Sequence, residues 1–219
     1  MSVEASAVPR AGLPELSAVH WRQRADESTL RRAGRRWTLC TAAHGFPLVA
    51  TAAVLAALNP LTIPVGLILL AHAWAIPELY AARGAKVLRR PGAQDAHAEA
   101  VALGLLGDLL DHEGRDFLTR TGLVLEQGAL GVWLLAPSGA LLVTPGARRV
   151  HCYCVGVSDA SLPPSDRTAH LLLALREDEA GLATVANLAF AGAPWRLRRR
   201  LRGSARAGLD EAVGAGRGG

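Results

Sequence analysis

Residues 37–77 constrain this chain more than any other stretch, because they contain no Asp, Glu, Lys or Arg. The apolar character of the stretch is broken only at Asn59-Pro60, a turn-forming pair,. One transmembrane helix needs about 20 apolar residues, so the stretch is long enough for two. The sequence therefore predicts two antiparallel membrane-spanning helices, about 37–58 and 61–80, joined by a very tight turn.

Basic residues crowd both outer ends of the predicted hairpin, while its turn carries none. They are Arg22, Arg24, Arg31, Arg32, Arg35 and Arg36 before the first span, and Arg83, Lys86, Arg89 and Arg90 after the second. Cytoplasmic loops of membrane proteins carry an excess of Lys and Arg, so both termini are expected in the cytoplasm. The chain start lacks a charged segment followed by an apolar one, so we expect no cleavable signal peptide.

Composition separates a membrane element from a soluble part. Hydrophobic residues make up 50% of the 219 residues, and their excess is concentrated in the hairpin,. The net charge of +5 comes almost wholly from arginine, since Lys86 is the only lysine. This Arg- and Ala-rich composition indicates a GC-rich bacterial genome, and hence a bacterial inner membrane. We divide the chain into a basic juxtamembrane segment (1–36), the hairpin (37–82), a basic linker (83–96), a cytoplasmic domain (97–203) and a flexible tail (204–219).

The cytoplasmic domain carries patterns of both helix and strand. Apolar residues recur at helical spacing over 97–119,. Four short apolar segments with turn residues between them follow, at 122–126, 131–136, 140–144 and 149–157. Such short connections favour an antiparallel four-stranded meander, and strands that are apolar on both faces predict a sheet covered by helices or by the membrane. Helices are predicted at 169–176, where a buried strand is the alternative, and at 182–190. The fold class is an α+β membrane protein.

His44 and His72 lie inside the predicted spans at similar distances from the turn. Ionisable residues within a membrane are often functional, and two facing imidazoles could bind a metal or haem. In the alternative, each neutral ring bonds a neighbouring carbonyl or reaches interfacial water. We favour this alternative, because ligation also needs converging faces and supporting partners.

Asp108, Asp111 and His112 are the candidate metal ligands. Their i, i+3, i+4 spacing would place them on one face of a helix. The same spacing also describes the solvated face of an amphipathic helix, and we prefer that interpretation because no second cluster completes a ligand set. Strand alternation separates Cys152 and Cys154 from His151, which disfavours a zinc site and predicts structural thiols.

A basic cluster near the C-terminus is a candidate for binding anions. Its members are Trp195, Arg196, Arg198, Arg199, Arg200 and Arg202. Such a patch could contact nucleic-acid phosphates or anionic lipid. A chain already tethered to a membrane and carrying an interfacial tryptophan favours the anionic headgroups of the bilayer, and nucleic acid is the weaker alternative.

Signature motifs of nucleotide-binding proteins, kinases, serine hydrolases and zinc proteases are absent from the sequence,. We predict no cofactor. The expected function is that of an integral inner-membrane protein whose hairpin anchors a domain for partner binding or regulation at the membrane surface, without catalysis and with an unidentified protein partner. Two alternatives stay open: a metal- or haem-dependent membrane enzyme using the intramembrane histidines, and a membrane-tethered nucleic-acid binder using the basic cluster.

Overall fold

The computed structural model describes residues 24–92, 95–155 and 161–218. Helix α1 (Glu27–Leu58) begins at Asp26, whose carboxylate accepts the backbone N–H of Thr29 at 2.7 Å,. A short 3-10 turn, Pro60–Thr62, connects α1 to helix α2 (Ile63–Ala85). The two long apolar helices predicted from the uncharged stretch are therefore both present.

Side chains close the turn between α1 and α2. The side-chain oxygen of Asn59 accepts the N–H of Leu61 at 2.9 Å, and the hydroxyl of Thr62 donates to the carbonyl of Leu55 at 2.6 Å. These bonds satisfy backbone groups that helix ends leave unpaired. The helices then run side by side, and small residues bring them close: a Cβ on Gly66 would lie 3.6 Å from the carbonyl oxygen of Ala52,.

The rest of the described chain forms a mixed domain. Its elements are helices α3 (Ala96–Asp108) and α4 (His112–Thr121), strands β1 (Val124–Gln127), β2 (Val132–Ala136), β3 (Gly139–Val143) and β4 (Val150–Cys154), helices α5 (Pro164–Glu177) and α6 (Glu179–Val185), strand β5 (Asn187–Gly192), and helices α7 (Pro194–Arg200) and α8 (Gly203–Gly218). The α+β class is confirmed.

The strands pair in chain order, β1-β2-β3-β4-β5, and every neighbouring pair is antiparallel. The predicted four-stranded meander is present, and the sheet continues into β5. Leu134, Leu141, Cys152 and Phe190 lie opposite one another across four strands. They consequently share one face of the sheet.

Helices cover both faces of the sheet. On the face that carries Leu134, the core includes residues of α7, α8 and the last turns of α2. On the opposite face, Trp133 and Leu142 pack with residues of α3, α5, α6 and the first turn of α1. Burial on both sides explains why β2 and β3 carry no polar residue,.

Residues 97–119 do not form the single helix that their spacing predicts. Helix α3 ends at Asp108, and α4 begins after Asp111, whose carboxylate accepts the N–H of Gly114 at 2.8 Å. Arg115 Nε donates to the carbonyl of Gly107 at 2.8 Å, which satisfies a group freed at the end of α3. The prediction was wrong here because capping interactions ended the helix within an apolar pattern that continues.

Residues 182–190 were wrongly predicted as one short helix. Helix α6 ends at Val185, and the following residues enter β5, where Phe190 pairs with Cys152. This strand depends on pairing with β4, a partner distant in sequence. The helix predicted at 169–176 is present, as part of α5.

Segments expected to be loose are ordered where the structure describes them. The Gly- and Ala-rich tail forms α8, with Leu209 and Ala212 fully buried. In the predicted linker, α2 continues to Ala85, and a 3-10 turn (Lys86–Leu88) buries Val87 in the core. Residues 1–23 of the juxtamembrane segment, 93–94 of the linker, 156–160 and 219 lie outside the described residues.

Candidate functional site

The domain packs against the open end of the hairpin, which we define as residues 24–38, at and just before the start of α1, and residues 78–85 of α2. The indole of Trp37 makes edge-to-face contacts with Tyr80, at 5.7 Å between ring centroids, and with Phe190 of β5, at 6.2 Å,. A Cβ on Gly84 would lie only 2.6 Å from the Cβ of Phe190. Hairpin and domain therefore share a closely packed interface.

Polar side chains around β4 hold α1 in place. Arg149 Nη1 donates to the carbonyl oxygen of Gly34 at 2.7 Å and to the hydroxyl of Thr38 at 3.2 Å. His151 Nε2 lies 3.2 Å from the carbonyl oxygen of Leu30. Because a carbonyl only accepts, this nitrogen is the protonated one of a neutral ring.

Burial sets the protonation of His151. It lowers the pKa of the imidazole to about 4, with a smaller contribution from the positive charge of Arg149, although the hydrogen bond to Leu30 acts in the opposite direction,. Nδ1 of the ring is buried and has no hydrogen-bond partner among the described residues. A second proton on this ring would therefore be both desolvated and unpaired.

A salt bridge connects α2 to α7. Arg200 donates to Glu78 Oε2 from Nε at 3.0 Å and from Nη2 at 2.6 Å. Glu78 is 5% exposed within an otherwise largely apolar helix. A buried carboxylate is costly without a partner, so this contact ties α7 to the hairpin.

Two grooves flank the contact between Trp37 and Tyr80. The first groove, about 590 Å³, lies where α1 faces α6 and β5, and Arg32, Arg36 and Cys40 are among its lining residues. The second groove, about 680 Å³, lies between the hairpin and the β4, β5 and α7 side of the domain. Each groove combines apolar walls with arginines.

The second groove has a basic end and an apolar end. Arg148, Arg149 and Arg196 line it from the domain side, and Phe46 and Val49 line it from α1. No Asp or Glu is among its described lining residues. This arrangement suits a molecule with an anionic head and an apolar tail.

The two histidines of the hairpin bond to their own helices. His44 Nδ1 lies 2.5 Å from the carbonyl oxygen of Cys40, and His72 Nδ1 lies 2.8 Å from that of Ile68. His44 also contacts Tyr80, with ring centroids 6.4 Å apart. Each ring thus bonds a neighbouring carbonyl, which is the alternative to binding a metal or haem.

The break between α3 and α4 separates the three candidate metal ligands. Asp108 ends α3, Asp111 caps α4, and His112 Nε2 lies 3.7 Å from Asp116 Oδ2. They therefore do not share one helix face. Within the described ranges, no group of three or more His, Cys, Asp or Glu side chains is placed to hold a metal ion.

The cysteines of β4 have separate environments. Cys152 is fully buried in the core, and burial raises the pKa of its thiol well above the usual range,. Cys154 is exposed at the end of the strand. Tyr153 packs in the core on the opposite face from Cys152, as strand alternation predicts.

The basic cluster divides into paired and stacked arginines. Arg198 bonds Asp210 at 2.6 Å, and Arg200 bonds Glu78, so their charges are compensated within the protein. The guanidinium groups of Arg196 and Arg199 lie 5.0 and 4.8 Å from the ring centroid of Trp195,. Arg202, just beyond α7, is exposed. Of the basic cluster, Trp195 and Arg196 line the second groove, where the turn residues Arg148 and Arg149 also lie.

Arg148 and Arg149 were not predicted as site residues. In the sequence they follow Pro145-Gly146 and resemble ordinary solvated turn residues,. Their position beside α1 depends on the contact of Arg149 with Gly34, a residue 115 positions away. An adjacent pair of arginines in a short turn was the only local signal.

Comparisons with models of protein families, with curated proteins and with solved structures found no match to this chain.

Proposed function

We propose that this chain is a two-span protein of a bacterial inner membrane that acts by binding at the anionic membrane surface. Both termini lie in the cytoplasm, and the α+β domain packs on the cytoplasmic end of its own hairpin. The observation that carries this proposal is exposure: in each long helix, only 6% of the most apolar 18-residue window is buried. The core helix of a soluble protein would bury that surface, whereas lipid accepts it.

Helix length supports the same arrangement. The 32 residues of α1 extend about 48 Å,, which exceeds the ~30 Å of bilayer hydrocarbon. The excess lies at the open end, where Leu30 and Gly34 are buried against the domain. Helix α1 therefore serves as a span along most of its length and as part of the domain core at its first turns.

Charge supports the orientation. Basic residues surround the open end, while the turn at 59–62 has no charged residue. Under the positive-inside rule, the open end belongs on the cytoplasmic side. The domain packed there would consequently face the anionic lipids of the cytoplasmic leaflet.

Binding is the proposed activity because of what the junction offers. Its grooves present arginines beside apolar walls, which is a recognition surface for an anion or an amphiphile,. Ligand binding in these grooves would then regulate the interaction of the domain with an unidentified protein partner at the membrane surface.

Membrane fractionation tests the location. We expect the protein to stay in the membrane pellet through high salt and alkaline carbonate, and to dissolve only in detergent. A matched pair of variants sharpens the test: Leu67→Lys places a charge on the exposed surface of α2, and Arg202→Lys keeps a charge that is already exposed. Leu67→Lys should impair insertion, at a cost of about 3 kcal/mol, and Arg202→Lys should not. Release of the unaltered protein by carbonate would refute the proposal.

A further inference from the structure

The second groove runs along α1 from its basic end toward the turn of the hairpin. Thr38 and Arg149 mark the basic end, where the guanidinium contacts the threonine hydroxyl. Val49, at the apolar end, lies 11 residues further along α1, or about 16 Å at the rise of an α-helix. That length is close to one half of the ~30 Å hydrocarbon layer, and therefore to the depth of one lipid leaflet.

The basic end holds positive charge that no described carboxylate neutralises. Neighbouring Arg198 and Arg200 pair with carboxylates. Among the described residues, no carboxylate forms a salt bridge with Arg148, Arg149 or Arg196. Both hydrogen bonds of Arg149 use Nη1 and go to neutral oxygens, so its charge is uncompensated by any anion of the described chain.

We propose that the second groove binds one anionic phospholipid of the cytoplasmic leaflet. Its phosphate lies at Arg148, Arg149 and Arg196, and one acyl chain lies along Phe46 and Val49. The inference rests on the proposed membrane location, and it adds a defined site and a ligand class. Trp195 borders the phosphate end, at the depth where interfacial tryptophans are found.

The first groove is the weaker candidate for the same ligand. It also carries arginines, Arg32 and Arg36, but the deepest α1 residues that line it are Cys40 and Thr41. It therefore ends two turns short of Val49 and offers no comparable path for an acyl chain. This difference makes the first groove an internal control.

Native mass spectrometry of the delipidated full-length protein in detergent tests the site. The probes are phosphatidylglycerol and phosphatidylcholine with identical acyl chains, titrated separately. We expect one phosphatidylglycerol to bind more tightly than phosphatidylcholine, because only the former has a net negative headgroup to match the arginines.

Substituting two pairs of arginines distinguishes a specific lipid site from general electrostatic attraction to basic surface. Arg148→Gln with Arg196→Gln removes two charges from the second groove, and Arg32→Gln with Arg36→Gln removes two from the first. The former should weaken phosphatidylglycerol binding on the order of thirtyfold, and the latter by less than about threefold. Equal weakening by both pairs, or no weakening by the former, would overturn the proposed site.

A second pair tests the apolar end without changing charge. Ala42 lines the second groove, and its neighbour Ala43 is exposed but does not line it. Ala42→Phe should reduce phosphatidylglycerol binding, whereas Ala43→Phe should leave it unchanged, with tryptophan fluorescence confirming that both variants fold. Equal binding by both variants would contradict the placement of the acyl chain. These results are independent of carbonate extraction, so failure of the lipid site and failure of the membrane location are separately visible.

Discussion

The hairpin and the sheet use the same kinds of apolar side chain in opposite surroundings. In the sheet, Leu134 and Leu141 are fully buried, while in the hairpin Leu58 is 79% and Phe46 is 71% exposed. Helices cover the sheet on both faces, whereas the protein itself covers little of the hairpin. The types of apolar side chain are alike in the two regions, and burial distinguishes them. The sheet is a protein core, whereas the hairpin exposes the apolar surface on which the proposed membrane location rests.

Leucine truncation in the two regions should give the largest contrast. Leu134→Ala removes a fully buried side chain from the sheet, and we expect it to lower the free energy of unfolding by about 2–5 kcal/mol. Leu39→Ala removes a side chain that is 68% exposed on α1 and should cost less than about 1 kcal/mol. Urea unfolding in detergent, followed by near-UV circular dichroism, measures both. If both substitutions lowered the free energy of unfolding equally, Leu39 would be packed against protein like Leu134, which would contradict its exposure on α1.

Because His151 of β4 contacts the Leu30 carbonyl of α1, we expect its protonation to lower the stability of the protein. Its pKa is about 4 in the folded protein, against 6.5 for an unperturbed histidine, so the unfolded state binds more protons between these values. Stability should therefore fall by roughly 3 kcal/mol as the pH drops from about 6.5 to about 4, and level off below. Urea midpoints measured across that range provide the test. His151→Gln should remove this component, and the exposed His97→Gln should retain it; identical pH profiles for both variants would contradict the assignment.

The salt bridge between Glu78 and Arg200 tests whether α7 is held by the hairpin. Glu78→Gln leaves the guanidinium of Arg200 beside a mostly apolar helix, and should cost about 2–3 kcal/mol. The exposed pair of Arg120 and Glu211, 3.3 Å apart, is the matched control, and Glu211→Gln should cost less than about 1 kcal/mol. Thermal unfolding of both variants compares the two pairs. Losses of similar size would mean that burial does not increase the contribution of the Glu78–Arg200 salt bridge to stability.

Two glycines on the hairpin should give the smallest loss of stability among these comparisons. A Cβ on Gly84 would lie 2.6 Å from Phe190, so Gly84→Ala should cost about 1–3 kcal/mol through overpacking. A Cβ on Gly45 would meet only the carbonyl oxygen of Ala73, at 3.8 Å, and Gly45→Ala should be neutral or stabilise by about 0.5–1 kcal/mol. Thermal unfolding measures both substitutions. A harmless Gly84→Ala would mean that the domain is not closely packed on α2.

Local patterns predicted the parts of the fold that local interactions determine. The uncharged run and Asn59-Pro60 indicated α1 and α2, and the turn residues between apolar segments indicated β1 to β4. Strand β5 was missed because its conformation comes from pairing with β4, across the whole of α5 and α6. Helix α8 was missed because glycine-rich sequence has low helix propensity, and the burial of Leu209 that stabilises it is a tertiary contact.

The candidate site was only partly visible in the sequence. Trp195 and Arg196 were predicted from a dense basic cluster, and both line the second groove. The structure separates them from Arg198 and Arg200, which carboxylates from α8 and α2 neutralise. No sequence pattern indicates which arginines of a cluster find partners, because those partners lie on other elements. The same reason concealed Arg148 and Arg149.

Sided cysteine labelling tests the central claim, that the hairpin crosses the membrane and the domain lies on its cytoplasmic side. Leu61→Cys places a thiol in the exposed turn, and the native Cys154 is exposed on the domain. The two positions are tested in separate variants. Both have Cys40 replaced by serine, and the Leu61→Cys variant also has Cys154 replaced by serine, so that each carries one accessible cysteine while Cys152 stays buried. In intact spheroplasts, an impermeant maleimide should label Leu61→Cys and leave Cys154 unmodified, and inside-out vesicles should reverse the result. Labelling of both positions from the same side of a sealed membrane would contradict the account.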